Sequence, residues 1–268
     1  MNRKRWVRLI FILLPISLIL VQIFWQPPLE RPQKIRMAIR TLIPPIGMIL
    51  RYFDFNEKNA LAKWEEKLFQ GRVAYWVDFE KADGFIHAKS KQSASAIFYR
   101  LKFDVSKYPY ISWKWRVGKF PDKSHVTDRK KWDDFAVRFY VVFVSRFFTN
   151  FRCVEYVWDE SLPQGTILES PYADQIKQIV VRSGPSEPDE WVLETRNVFE
   201  DYGKLFGKPP KMKAAAIALM TSSAGSQSEA EGFFDDIRIG KSATQQSSAV
   251  SQANRGGFAA QLSREEHP

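Results

Sequence analysis

The chain has one cysteine, Cys153, and three histidines among 268 residues. A lone thiol forms no internal disulfide, so an exported domain made from this chain must rely on its core. Cys153 lies in the strand-like run Cys153-Val-Glu-Tyr-Val-Trp158 and reads as a small buried hydrophobe. His87, His125 and His267 form no metal-type cluster, and no Gly-x-Ser-x-Gly elbow or Cys–His pairing is present. Nucleophilic catalysis therefore has little support. Gly-rich phosphate loops are missing too. Basic charge is scarce where a nucleic-acid surface would need it. The net charge is +10, yet residues 1–53 hold nine Lys/Arg and one acid, while residues 54–240 hold 28 against 27. Basicity gathered at the N-terminus points to anionic lipid and away from nucleic acid.

The same N-terminal stretch carries the longest apolar run. Behind the basic flank of residues 1–8, Leu9 to Phe24 is interrupted only by Pro15, Ser17 and Gln22, with Trp6 and Trp25 at its ends. Its length falls between a secretory h-region and a full span. No small-x-small cleavage site follows, and aromatic ends suit membrane interfaces, so residues 1–30 are expected to be an uncleaved anchor, with a cleaved signal as the alternative. Residues 31–53 repeat Ile35, Ile39, Leu42, Ile46, Ile49 and Phe53 at helical spacing, broken at Pro44-Pro45. That stripe fits either an amphipathic juxtamembrane piece or an ordinary helix packed on the domain. Residues 241–268, rich in Ser, Ala and Gln without periodicity, read as a disordered tail.

Between Tyr108 and Gly240 short apolar or alternating runs are separated by turns, which predicts a β-sandwich over residues 54–240. In Tyr110-Ile-Ser-Trp-Lys-Trp-Arg-Val117 the residues Ile111, Trp113, Trp115 and Val117 share one face. Further strands are expected at Asp134–Phe143, Ile179–Val181, Ala214–Met220 and Gly232–Ile239. A short helix is expected at Val198–Phe206, stopped by Gly207. The loop from Gly118 to Trp132 is long for a hairpin.

The series Tyr108-Pro-Tyr-Ile-Ser-Trp-Lys-Trp115, Asp133-Asp-Phe-Ala-Val-Arg-Phe-Tyr-Val-Val-Phe143, Tyr156-Val-Trp158, Ser170-Pro-Tyr172 and Ile179-Val-Val-Arg-Ser-Gly184 resembles a bacterial family catalogued as "domain of unknown function 3047". Trp191 to Tyr202, Ile217-Ala-Leu-Met220 and Phe234-Asp-Asp-Ile237 continue the match, so that it spans about residues 62–240. The resemblance implies an exported bacterial domain and no particular activity. In the family an acidic loop follows the Ile-Ala-Leu-Met strand; here that place reads Thr221-Ser-Ser-Ala-Gly-Ser226. More distantly, a Trp-led strand, a helical stretch, a small-residue strand and a closing Phe-x-Asp-Asp-Ile-x-Ile look like the end of galactose-binding-like jelly rolls. Many carbohydrate-binding modules belong there.

Two acidic pairs, Asp133-Asp134 and Asp235-Asp236, invite an acid–base reading. Neighbours on one strand point to opposite faces, so neither pair is expected to act alone. A dyad would need Asp134 and Asp236 brought together. The bland role is that of turn and cap residues; the jelly-roll resemblance adds a structural calcium held partly by Asp236. If Trp113, Trp115, Phe135, Val137 and Phe139 point inward, then Lys114, Arg116, Asp134, Arg138 and Tyr140 point outward, joined by Arg182. Such a face suits an acidic glycan; the alternative is a solvated face with Arg138 paired to Asp134 or Glu155. The expectation is thus a mainly β, jelly-roll module with an N-terminal transmembrane or amphipathic helical segment. It would be tethered to a bacterial inner membrane, face the periplasm, and bind acidic polysaccharide without catalysis or a cofactor. The alternatives are a polysaccharide-active enzyme using Asp134 and Asp236, or an assembly factor with a protein partner.

Overall fold

The computed structural model describes residues 48–243, apart from 129–131, 146–149, 186 and 188–189. The expected anchor, most of the amphipathic stripe and all but the first residues of the tail lie outside the described residues. Among the described residues no helix is long and apolar enough to cross a membrane.

In chain order the strands are β1 (Ile49–Phe53), β2 (Glu65–Gln70), β3 (Ala74–Glu80), β4 (Asp83–Lys91), β5 (Ala94–Phe103), β6 (Tyr110–Lys119) and β7 (Arg138–Val144). There follow β8 (Phe151–Asp159), β9 (Ile167–Glu169), β10 (Ile176–Ser183), β11 (Val192–Asn197), the helix α1 (Val198–Phe206), β12 (Ala214–Ser222) and β13 (Glu229–Gly240). A first sheet runs β11-β6-β13-β4-β3, with β1 added to β13, and a second runs β2-β5-β12-β7-β8-β10-β9. All neighbours are antiparallel except β8 and β10. The molecule is mainly β, a sandwich of two sheets.

Between the sheets lies the core that the alternation of β6 predicted. Trp113 and Trp115 are both fully buried. The Trp113 ring stacks on Phe139 of β7 at 4.4 Å and meets Trp115 edge-on at 5.2 Å. Large rings locked on both sides leave no room to collapse, which makes truncation there costly. Phe135 is buried as expected, but with Val157 and Val180 in a separate cluster on the other side of the second sheet. The reason is that β7 starts only at Arg138, so the alternation of Val137 and Phe139 does not reach back to Phe135.

Local signals explain the ends of the elements. The Asn197 side chain caps α1 by accepting from the Glu200 N–H at 3.3 Å, and Gly207 closes the helix at φ 70°. The stripe that ended at Ile49 and Phe53 continues as strand, not helix: Ile49–Phe53 pairs with β13, and Phe53 packs on Trp64 and Tyr99. Long-range pairing and this aromatic cluster override the helical spacing.

Candidate functional site

The two sheets turn very different outer faces to solvent. On the first sheet, cross-strand register sets Trp76 of β3 opposite His87 of β4, His87 opposite Phe233 of β13, and Phe233 opposite Arg116 of β6. Trp191, just ahead of β11, completes the row. The contacts along it are close: Trp76–His87 at 3.9 Å, His87–Phe233 at 4.4 Å, and the Arg116 guanidinium 4.3 Å from the Phe233 ring and 5.1 Å from Trp191. Phe85 backs the row, edge-on to both Trp191 and Phe233. The ends stand higher than the middle. Trp76 is 37% exposed, whereas Phe233 and Arg116 are buried. Beyond Trp191 an open cavity of about 510 Å³ is lined by the β3–β4 turn, Glu80 to Asp83.

Carboxylates frame this row. His87 is held between Asp78 Oδ2 at 3.3 Å and Glu231 Oε1 at 2.6 Å, which fixes the plane of its ring. Asp235 stands two residues from Phe233, on the same face and opposite Lys114. Its neighbour Asp236 adopts φ 51°, at a register shift in the β6–β13 ladder. This bulge undoes the strict alternation, and both carboxylates come to lie beside Lys114. The expectation that they point to opposite faces is corrected by it. Asp236 takes the Lys114 ammonium at 2.6 Å, the Tyr52 hydroxyl, and Arg238 at 3.2 Å. Burial works against its charge, yet these partners hold its carboxyl below the usual range. Asp235 is only 5% exposed, and its Oδ1 has no hydrogen-bond partner. Burial, then the charges of Asp236 and Asp83, push its carboxyl up to about 7.

The second sheet closes its outer face with its own side chains. Arg138 is buried; its Nε donates to Glu155 at 2.5 Å and its Nη2 to Asp133 at 3.1 Å. Gln178 bridges the two acids, donating to Asp133 at 2.6 Å and to Glu155 at 3.1 Å. One guanidinium serves two carboxylates. Burial, and then Asp133, raise the Glu155 carboxyl although Arg138 opposes them.

The six residues expected to converge do not share a face. Lys114 and Arg116 belong to the first sheet's outer face, and Arg138 and Tyr140 to the second's, because β6 pairs with β11 and β13 while β7 pairs with β8 and β12. Tyr140 is half-buried, its hydroxyl 3.4 Å from Met220 Sδ. Asp134 is buried and accepts from the Ser226 N–H at 2.7 Å and its hydroxyl at 2.8 Å, pinning the β12–β13 turn. Arg182 ties β10 to Glu194 of β11 at 3.1 Å. Arg138 pairs with Glu155, as the alternative held, and not with Asp134.

The dyad of Asp134 and Asp236 is also not assembled. Asp134 is fixed beside Ser226, and Asp236 lies eight residues along β13 from nearby Ser228, about 25 Å at the strand rise. Asp236 is engaged by two cations, Lys114 and Arg238, and among the described residues no group of three or more His, Cys, Asp or Glu is placed to hold a metal. Sequence reasoning did not bring Trp76, His87 or Trp191 into a site, and weighed Asp235 only as half of an acidic pair. The alternation of Trp76 and Asp78 and of Phe85 and His87 was the available signal, but only the pairing of β3 with β4 and of β4 with β13 turns it into a row.

Solved structures with some likeness include the CBM27-1 of Caldicellulosiruptor saccharolyticus in complex with mannohexaose, 9% identical, covering 72% of this chain and 98% of that one at a TM-score of 0.38. The family 30 carbohydrate-binding module of a cellulosomal cellulase of Clostridium thermocellum is 10% identical over 66% and 90% of the two chains, at a TM-score of 0.39. The xyloglucanase domain of NopAA, a type three effector from Sinorhizobium fredii in complex with cellobiose, is 7% identical over 68% and 93%, at 0.38. At such scores the likeness carries no argument about function. No curated protein matches the chain. Residues 62–238 match the family described as "Protein of unknown function (DUF3047)", and the chain belongs to that family.

Proposed function

We propose that this protein is a non-catalytic glycan-binding module of jelly-roll kinship, and that the outer face of the first sheet is its binding surface. One observation carries the reading: the unbroken row Trp76–His87–Phe233–Arg116–Trp191 across the sheet, with Trp76 exposed at one end. Contacting rings that rise from a buried middle to an exposed Trp76 form an apolar ledge that a folded domain ordinarily buries unless something binds there. The apolar C–H face of a pyranose ring can stack on such a ledge while its hydroxyls reach the flanking Asp78 and Glu231. The acidic-glycan expectation needed unpaired cations. Lys114, Arg138 and Arg182 each engage a carboxylate, so the reading moves to neutral, hydroxyl-rich glycans. The apolar run at Leu9–Phe24 supports an inner-membrane tether with the domain on the periplasmic side.

The test is a glycan array probed with the detergent-solubilised full chain. Neutral oligosaccharides should bind, and Trp76→Ala and Trp191→Ala should each abolish the signal. Silence towards every sugar, together with capture of a protein partner, would replace this reading with the assembly-factor one.

A further inference from the structure

The domain is almost neutral, with 28 Lys/Arg against 27 acids in residues 54–240, yet its charge is sorted between its two ends. One end gathers the start of β1, the β5–β6 loop, the segment joining α1 to β12, and the end of β13. The ladders bring these together: Ile49 and Tyr110 both pair with Gly240, and Asn197 pairs with Tyr110. Residues 104–109 and 207–213 carry the chain from one sheet to the other here. Lys107, Lys204, Lys208, Lys211, Lys213 and Lys241 stand exposed on this end. Lys114, Lys119 and Lys177 hold carboxylates elsewhere, but none of these six has a salt-bridge partner among the described residues. Acids are fewer there: Asp104, Asp174 and Glu200. The opposite end, made by the loops after β6, β8 and β10, exposes Asp122, Asp128, Glu160, Glu187 and Glu190.

The chain also enters and leaves the domain through the basic end, where the Lys241 N–H donates to the Met48 carbonyl at 2.8 Å. Upstream of Met48 come residues 25–47, with Arg31, Lys34, Arg36 and Arg40 against Glu30, and before them the apolar run of residues 9–24. A connection of 23 residues reaches at most about 80 Å when extended, so it keeps the domain near a bilayer without seating it.

We propose that the lysine-bearing end of the sandwich docks on an anionic bilayer surface, the phospholipid headgroups beside the tether. The proposal rests on the membrane-tether reading and is independent of the glycan one. Ammonium groups on flexible stems suit headgroup phosphates as point charges, and their attraction adds lysine by lysine close to an anionic membrane. Ile49 and Leu50, exposed where the chain enters the domain, can settle among the headgroups. The acids at the far end turn the domain in the same sense, since an anionic surface attracts one end and repels the other. Strands run between the two ends, so a domain seated this way holds the ring row of the first sheet to the side, clear of lipid.

The experiment reconstitutes the full chain into vesicles of phosphatidylcholine alone, or of phosphatidylcholine and phosphatidylglycerol in equal parts, each carrying a headgroup-linked energy acceptor. A donor dye is attached at Pro209→Cys on the lysine end or at Thr127→Cys on the far end, both exposed positions, while the native Cys153 is buried. In the anionic vesicles transfer from Pro209→Cys should exceed that from Thr127→Cys. The excess should vanish in phosphatidylcholine alone, and at 1 M salt, where the screening length falls to about 3 Å. Replacing Lys208, Lys211 and Lys213 together by Gln should cut the ratio of docked to undocked domain about tenfold or more, and Arg at the same three positions should restore it. Neither variant should shift the melting temperature, because the three side chains are exposed, and this separates lost docking from lost fold. Equal transfer from the two probes, or transfer that ignores lipid charge in a chain that survives high-salt washing, overturns the docking and leaves the tether standing. A chain that washes off the vesicles overturns both. A Pro209→Cys probe that responds to added DNA or polyphosphate and not to lipid charge would assign the lysines to a soluble polyanion and overturn the membrane proposal.

Discussion

The outer faces of the two sheets hold similar ingredients and put them to opposite use. Each has an arginine over aromatic rings and more than one acid nearby. On the second sheet Arg138, Asp133, Glu155 and Gln178 satisfy one another and leave little to offer a ligand. On the first, Arg116 lies among Phe233, Trp191 and Phe85, His87 and Lys114 are paired with carboxylates, and the row ends in an exposed Trp76. Residue type alone does not mark a binding face. What separates the closed face from the candidate site is the row of contacting rings that ends in an exposed tryptophan.

The largest expected effect breaks the closed side of this comparison. Arg138→Ala leaves Glu155 and Asp133 buried without their guanidinium and should destabilise the fold by about 3–5 kcal/mol in urea denaturation. In the fraction that remains folded, sugar binding at the first sheet should be unchanged. Trp113→Ala should cost a similar amount, about 3–5 kcal/mol, because Phe139 and Trp115 enclose the ring.

Asp235→Asn sharpens the open side and has the opposite sign. The folded carboxyl is raised from an ordinary value of 3.8 to about 7, chiefly by burial. Between those values the folded state holds a proton that the unfolded state has lost, so stability falls as pH rises through the interval. The Asn variant should therefore melt higher than wild type at pH 8, and the difference should vanish near pH 4. Equal melting temperatures at pH 8 would mean that Asp235 is not the strained group described here.

The smallest expected change in stability is at Trp76. The ring is 37% exposed at a sheet edge, so Trp76→Ala should alter unfolding free energy by about 1 kcal/mol or less while removing sugar binding.

How far the sequence foretold this can be seen along β6. The alternation of Ile111, Trp113, Trp115 and Val117 announced a strand with a buried face, and all four are core residues. The same alternation suggested that Arg116 is a solvent-facing cation, but the rings of Phe85, Phe233 and Trp191 bury it from the far side. Period two sorts residues between the faces of one strand and says nothing about which sheet the strand joins. That is why Lys114 and Arg138 were grouped and prove to be on different sheets. At Asp235-Asp236 the bulge broke the period itself, and nothing local in the sequence marks a left-handed aspartate. The helix cap at Asn197 and stop at Gly207 were legible because both depend on neighbours in the chain.

The most direct measurement follows tryptophan fluorescence while the full chain is titrated with neutral and uronic oligosaccharides, comparing wild type with Trp191→Ala and Arg138→Ala. The account predicts a response to a neutral sugar that Trp191→Ala eliminates and folded Arg138→Ala retains. A response lost in Arg138→Ala and kept in Trp191→Ala would contradict it and move the binding face to the second sheet.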